Sequence, residues 1–368
     1  MSQTARGASA SGPPEPRNNP DLIGHDGAEQ SLLQAWRSGR MPHAWLIEGP
    51  PGIGKATLAY RFARFVLAQK RTQPATALFQ MEAAGLGVSK VDSTFRLVAA
   101  NSHPDLLVVE RQYDEKRKRD RRVIRVDETR EIAQFLHLTP SQGGWRVVIV
   151  DGAEEMNRNA ENSILKVLEE PPAQALILLV SHASGQLLAT VRSRCRRLQL
   201  RPLPPSAVEG LLARYAPDLP EAERQPTVRL AAGSIGRALA LIEGGGLELY
   251  RAVVGLLERI PGMDVKALHG LADKTARAGA EDVFATVTEL YFTLLRRVML
   301  EAGGAAEVGE ILPGEAALLR RLARRRSLDR WLELWDNSRR LVARTDSINL
   351  DRKQVILNVF LALEDERA

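Results

Sequence analysis

The sequence predicts an α/β core, a parallel sheet flanked by helices, together with a small helical segment and an all-α C-terminal domain. Three observations carry this. The runs HAWLIEG (43–49), WRVVIVD (145–151) and ALILLVS (175–181) are almost continuously apolar and end in Gly, Asp or Ser, as strands buried on both faces do. Between them, KATLAYRFARFVLAQ (55–69) and NAENSILKVLEE (159–170) place apolar residues three or four apart, the helical spacing. Strands alternating with helices build a parallel sheet with helices on its faces. After Leu247 strand signals disappear, and long helical patterns such as EDVFATVTELYFTLLRRVML (281–300) and LDRWLELWDNSRRLVA (328–343) take over.

The expected organisation is a disordered leader over 1–20, the α/β core over 21–203, the helical lid over 204–246 and the all-α domain over 247–368. A chain of 368 residues is long for one ordinary domain. The leader, MSQTARGASASGPPEPRNNP, lacks the apolar centre of a signal peptide, and no apolar run reaches the roughly 18 residues of a membrane span. A cytoplasmic protein is expected. The single cysteine, Cys195, excludes an internal disulfide and a cysteine-rich zinc site. Net charge is +6, a modest basic excess for this length, compatible with nucleic acid and equally with a solvated surface.

Within the core, the LEEPP end (168–172) stops its helix, because proline offers no backbone N–H. ERQYDEKRKRDRRVIRVDETR (110–130) carries dense charge of both signs and reads as a solvated loop or hairpin insertion. The glycines of AAGSIGRALALIEGGG (231–246) mark a hinge, and the helical stripes beyond them need partners, one another or a second subunit.

The chemistry lies in GPPGIGKA (49–56), a G-x-x-x-x-G-K loop between a strand and a helix. Gly49, Gly52 and Gly54 let backbone amides turn toward phosphate oxygens, the helix N-terminus adds positive potential, and Lys55 supplies a point charge. The motif then fails. Ala56 stands where a Ser or Thr hydroxyl would hold Mg²⁺. Thr57 is one residue on, about 100° around the helix, and needs a backbone shift to substitute. Asp151 ends the second strand, the usual place for a carboxylate that organises Mg²⁺. ATP or ADP bound without turnover, and an empty loop, both remain open.

These stretches, with HPDLLVVE (103–110) and SRC (193–195), resemble the AAA+ clamp-loader family of bacterial DNA polymerase III over roughly Asp21 to Ile242. NLDRKQVILNVF (349–360) is similar to the last collar helix of such subunits. The resemblance implies an AAA+ core, a lid, and a collar through which five subunits form an open ring. In the family's ATPases a Glu follows the Asp151 position and polarises the attacking water; here it is Gly152, with Glu154 and Glu155 starting a turn or helix nearby. Two groups missing from two motifs imply a silent subunit rather than a tau or gamma motor. The alternative, an active AAA+ ATPase, requires Lys55 and Asp151 to suffice with help from Thr57 or Glu154.

On its residues alone VRSRCRRLQL (191–200) is a basic loop. The resemblance makes Arg194 an arginine finger, reaching the γ-phosphate held by a neighbouring subunit. It offers Ser181 or His182 as a sensor of that phosphate and Arg237 as the lid arginine closing over nucleotide. The implied partners are tau or gamma and delta subunits, the sliding clamp, and primed DNA gripped through its phosphates. One departure stands out. Many such cores carry a four-cysteine zinc module, whereas residues 71–101 contain no cysteine, so no zinc is expected.

Overall fold

The computed structural model describes residues 12–69, 85–111, 113–114, 119–120, 123–141, 144–277, 279–304, 309–347 and 350–364. Two compact units divide the chain: Met1–Leu211 with Gly233–Gly236, and Leu212–Ala232 with Arg237–Ala368.

The elements of the first part are α1 (Asp26–Arg37), β1 (Ala44–Glu48), α2 (Lys55–Ala68), α3 (Ser93–Ala99), β2 (Leu106–Val109), β3 (Tyr113–Asp114), β4 (Arg119–Asp120), α4 (Val126–His137), β5 (Arg146–Asp151), α5 (Arg158–Glu169), β6 (Ala175–Ser181), α6 (Ala189–Arg192) and β7 (Arg196–Gln199). Five strands form one parallel sheet in the order β2-β5-β6-β1-β7. Strand side chains alternate between faces. Thus Val147 and Ile149 of β5 join Trp45, Ile47, Leu176 and Leu178 beneath Leu32, Leu58, Phe62 and Val98 of α1–α3. Val148 and Val150 join Leu46, Ile177 and Leu179 beneath Ile132, Ile164, Leu168 and Val191 of α4–α6. Because both faces are covered, the central strands carry no polar alternation.

The three strands and two helices expected of the core are present. The sheet has two more strands. Residues 196–199, expected as part of a basic loop, form edge strand β7, with Leu198 as its one buried residue. Inside the charged stretch 110–130, β3 and β4 pair as an antiparallel hairpin and α4 begins at Val126.

The leader departs from expectation. Residues 1–11 lie outside the described residues, but 16–20 are bound to α2. Arg64 of α2 is 1% exposed, and its guanidinium donates to Arg17 O at 2.8 Å and Asn19 O at 2.6 Å. It also lies 4.7 Å from the Phe95 ring centroid. Burial, then the Arg61 charge, lowers Arg64 to about 10. Arg61 donates to Pro20 O and pairs with Glu29. A buried cation needs acceptors, and backbone carbonyls of the leader supply them.

Further along are α7 (Pro205–Tyr215), α8 (Glu221–Ala231), α9 (Ile235–Glu243), α10 (Gly246–Glu258), α11 (Val265–Ala276), α12 (Glu281–Ala302), α13 (Glu315–Ala323), α14 (Leu328–Ser347) and α15 (Arg352–Leu361). Among the described residues beyond Gly246 all regular structure is helical. The core of this unit gathers Leu230 and Leu241 with Tyr250, Tyr291, Trp331 and Phe360. The Tyr291 hydroxyl donates to Val359 O at 3.0 Å, joining α12 to α15. Helix α9 occupies most of the glycine-marked 231–246. No described helix is long and apolar enough to cross a membrane.

Candidate functional site

The turn after β1 has the conformation its glycines foretell: Gly49, Gly52 and Gly54 lie at φ 152°, 71° and 105°. Lys55 opens α2 at 5% exposure and folds back, Nζ donating to Pro50 O at 2.6 Å. The other loop carbonyls are also engaged. Ser234 Oγ donates to Pro51 O at 2.9 Å, the Gly236 N–H to Gly52 O at 3.0 Å, and His25 Nε2 to Ile53 O at 2.7 Å. A Cβ on Gly236 would stand 2.8 Å from Gly52 Cα, so only glycine permits this approach. The loop is therefore tied at four successive carbonyls.

Asp151 lies at the C-terminal end of β5. Burial pushes its carboxyl up and the Glu110 charge adds to this, while Lys55 and His182 oppose it. Burial lowers Lys55, with Glu154 and Asp151 opposing. Lysine and aspartate therefore feel each other across the site. Glu110, Arg111, Asp151, Gly152, Glu155 and His182 line a cleft of about 230 Å³. Glu154 accepts from His182 Nε2 at 2.8 Å and from the His182 backbone N–H at 3.2 Å, and Glu155 pairs with Arg111 at 2.9 Å. Both carboxylates thus have cationic or donor partners of their own.

Gly152 has φ 78°, and a Cβ there would stand 2.6 Å from Glu155 Oε2. A glutamate at 152 would be strained and would displace Glu155. Thr57 is buried at 9% exposure in the first turn of α2. The residues fit a phosphate group, which the loop amides and Lys55 would hold. Ala56 offers no side-chain oxygen in the first turn of α2, and the residue after Asp151 is Gly152, which offers no carboxylate. Among the described residues no cluster of His, Cys, Asp and Glu could hold a metal ion.

The remaining predicted residues are distributed. Ser181 is fully buried and its Oγ accepts the Ala183 N–H at 3.2 Å, an ordinary turn contact. Arg194 follows α6; its Nη1 donates to Thr190 O at 3.0 Å and its Nη2 to Glu169 at 2.5 Å. Burial pushes the Cys195 thiol beside it up to about 12, so it stays protonated and inert at neutral pH. Arg237 belongs to the C-terminal unit, where it pairs with Glu289 at 2.9 Å and donates to Thr293 Oγ1 at 3.0 Å, both on α12.

Sequence reasoning missed five contributors. Ser234, Gly236 and His25 fasten the loop. Glu48, the residue before Gly49, is forked by Arg197 through Nε at 2.9 Å and Nη2 at 3.0 Å. Burial pushes the Glu48 carboxyl up, but the hydrogen bonds from Arg197 and Ser184 outweigh it and hold the group below its ordinary value. Only the strong β1 pattern hinted at Glu48, as a charge at the end of a buried strand.

A family model described as DNA polymerase III, delta subunit, matches residues 24–204. The delta' subunit of DNA polymerase III from Pseudomonas aeruginosa is 39% identical over 228 residues, covering 61% of this chain and 63% of that one. Its Escherichia coli counterpart is 33% identical over 215 residues, covering 58% and 59%. The gamma/tau subunit of Mycobacterium tuberculosis is 26% identical over 279 residues, covering 74% and 45%. The matches to the delta' relatives span about three fifths of their length. Over its phosphate-loop core the chain is thus similar to the delta' subunits of DNA polymerase III.

Proposed function

We propose that this chain is a clamp-loader subunit that does not hydrolyse ATP itself and lends Arg194 to the ATP site of a neighbouring tau or gamma subunit. The ring it would form with tau or gamma and delta opens the sliding clamp and places it on primed DNA. The observation that carries the reading is a formed phosphate loop with both hydrolytic groups missing, Ala56 for the Mg²⁺ hydroxyl and Gly152 for the catalytic carboxylate. The left-handed backbone at 152 supports it further, because that turn is shaped around glycine. Nucleotide, if held, is held by the loop amides and Lys55 without turnover.

The chemistry of this chain is then that of a guanidinium delivered in trans. Arginine stays charged at all working pH and meets phosphate oxygens through a planar fork. At 34% side-chain exposure Arg194 is accessible on its loop. Stabilising charge that develops on the transferring phosphoryl group is worth about 10³–10⁵ in rate in comparable sites.

Two assays test the reading. The isolated chain with Mg²⁺-ATP should show no turnover above a Lys55→Ala control; brisk turnover abolished in that control overturns it. Reconstituted with tau or gamma and delta, the Arg194→Ala protein should assemble normally yet lose most of the DNA-stimulated ATPase.

A further inference from the structure

Arg194 leaves the end of α6 with its guanidinium fixed at two points. Nη1 donates to Thr190 O at 3.0 Å, with Ser193 Oγ at 3.4 Å, and Nη2 donates to Glu169 Oε1 at 2.5 Å. Glu169 is the last residue of α5, and that helix end is itself pinned. His43 Nε2 donates to Leu168 O at 2.9 Å, and Pro171 and Pro172 end the helix. At the other end of α5, the Glu161 carboxylate accepts the N–H of Leu188, the residue capping α6, at 2.6 Å. Helix α6 is only four residues long. It is slung between two carboxylates of one long helix, and Arg194 hangs from the second.

A guanidinium has five N–H groups in a rigid fork. Glu169 and Thr190 occupy one on each terminal nitrogen, which leaves others for an incoming anion. An unrestrained arginine is among the costliest side chains to order. The Arg194–Glu169 pair is 34% and 50% exposed, so solvent screens its Coulomb attraction and its contribution is mainly geometric.

We propose that Glu169 is a positioning residue for the trans-acting arginine: it holds the Arg194 guanidinium in a single outward orientation while leaving N–H groups free for the phosphates of the neighbouring ATP site. This rests on the finger reading above. A freed Arg194 would still carry its charge and would still bind phosphate, but from a spread of rotamers. The deficit then falls on the chemical step and not on nucleotide affinity.

The experiment uses the complex reconstituted with tau or gamma and delta, with kcat and KM for ATP measured on clamp and primed DNA. Four variants are compared: Arg194→Ala, Glu169→Ala, Glu169→Gln and, as a neighbouring control, Glu170→Ala. Arg194→Ala should abolish most turnover. Glu169→Ala should lower kcat about tenfold with KM unchanged, the scale of one disordered long side chain. Glu169→Gln, which keeps an acceptor oxygen, should recover most of the loss, and Glu170→Ala should match the unmodified protein. A kcat for Glu169→Ala equal to or above the unmodified value, with Arg194→Ala impaired, overturns the positioning role and leaves the finger intact. If Arg194→Ala is itself without effect, the finger reading falls, and this proposal with it.

Discussion

The Glu48 carboxylate and the Arg197 guanidinium are joined by two hydrogen bonds, 2.9 and 3.0 Å long, between neighbouring strands β1 and β7. Glu48 is 5% exposed and directly precedes the phosphate loop, while Arg197 lies three residues after Arg194. The fork therefore ties the root of the loop to the strand that follows Arg194. Glu48's folded pKa lies below its ordinary 4.5, so the fork contributes stability that is present above that value and is lost as pH falls through the folded pKa. Arg197→Met should lower Tm at pH 7. The gap to the unmodified protein should close as pH falls through the folded Glu48 pKa, where the carboxyl becomes protonated and the fork's charge is lost. A gap that stays constant with pH would assign the effect to packing.

Gly236 makes the second fastening. Its N–H reaches Gly52 O, and an added Cβ would meet Gly52 Cα at 2.8 Å. That neighbour is backbone, with no flexible end to move aside. Gly236→Ala should cost about 1–3 kcal/mol, the usual range for forced overpacking. Gly255→Ala is the natural control. That position lies in α10 with nothing within 4 Å of the new Cβ. Removing a helix-interior glycine there should add roughly 0.5–1 kcal/mol. Urea denaturation of both variants decides whether the close approach or glycine loss in general sets the sign.

Legibility in the sequence followed burial. Strands β1, β5 and β6 are covered on both faces, so their continuous apolar runs stood out. β7 has one buried residue, Leu198, between exposed Arg197 and Gln199, and edge exposure erased its pattern. β2 is only half buried over Leu106–Val108. The phosphate loop was legible because its glycines are required by local backbone shape. Its fastenings were not, since Ser234 reaches Pro51 across 183 positions and both partners are ordinary residues. The leader was unreadable for a related reason. Arg64 is bound by the carbonyls of Arg17 and Asn19, and carbonyls leave no signature in side-chain identity. Arg237, offered by resemblance as a lid arginine, has its described partners on α12.

Asp151 gives the opposite pH dependence to Glu48. Burial, reinforced by Glu110 and Glu154, raises its folded pKa above the ordinary 3.8 despite Lys55 and His182. A raised carboxyl contributes stability that is fully present below the unfolded pKa and is lost as pH rises through the folded one. Above its unfolded pKa, at pH 7 included, Asp151 is therefore a cost to the fold. Asp151→Asn should raise Tm at pH 7, with the advantage shrinking as pH falls toward 3. An unchanged or lowered Tm at pH 7 would mean that Lys55 and His182 compensate the buried charge fully.

The C-terminal unit has its own test in a buried ion pair. Arg297 of α12 donates to Glu315 Oε1 of α13 at 2.7 Å, and also to the Tyr250 hydroxyl of α10 at 2.9 Å. The second Glu315 oxygen accepts the N–H groups of Ile311 and Leu312 at 2.8 and 3.1 Å. Both charged side chains are at most 6% exposed. Three helices and the turn before α13 thus converge on one carboxylate. Removing one partner of such a pair strands the other charge away from water, at about 3–5 kcal/mol. Arg297→Met should lose that much in urea denaturation. Adding Glu315→Gln to Arg297→Met should recover a substantial part, because a neutral amide oxygen still accepts from Ile311 and Leu312 and no charge is left uncompensated. If the double variant is no more stable than Arg297→Met alone, the cost lies in lost packing around the arginine and not in the stranded carboxylate.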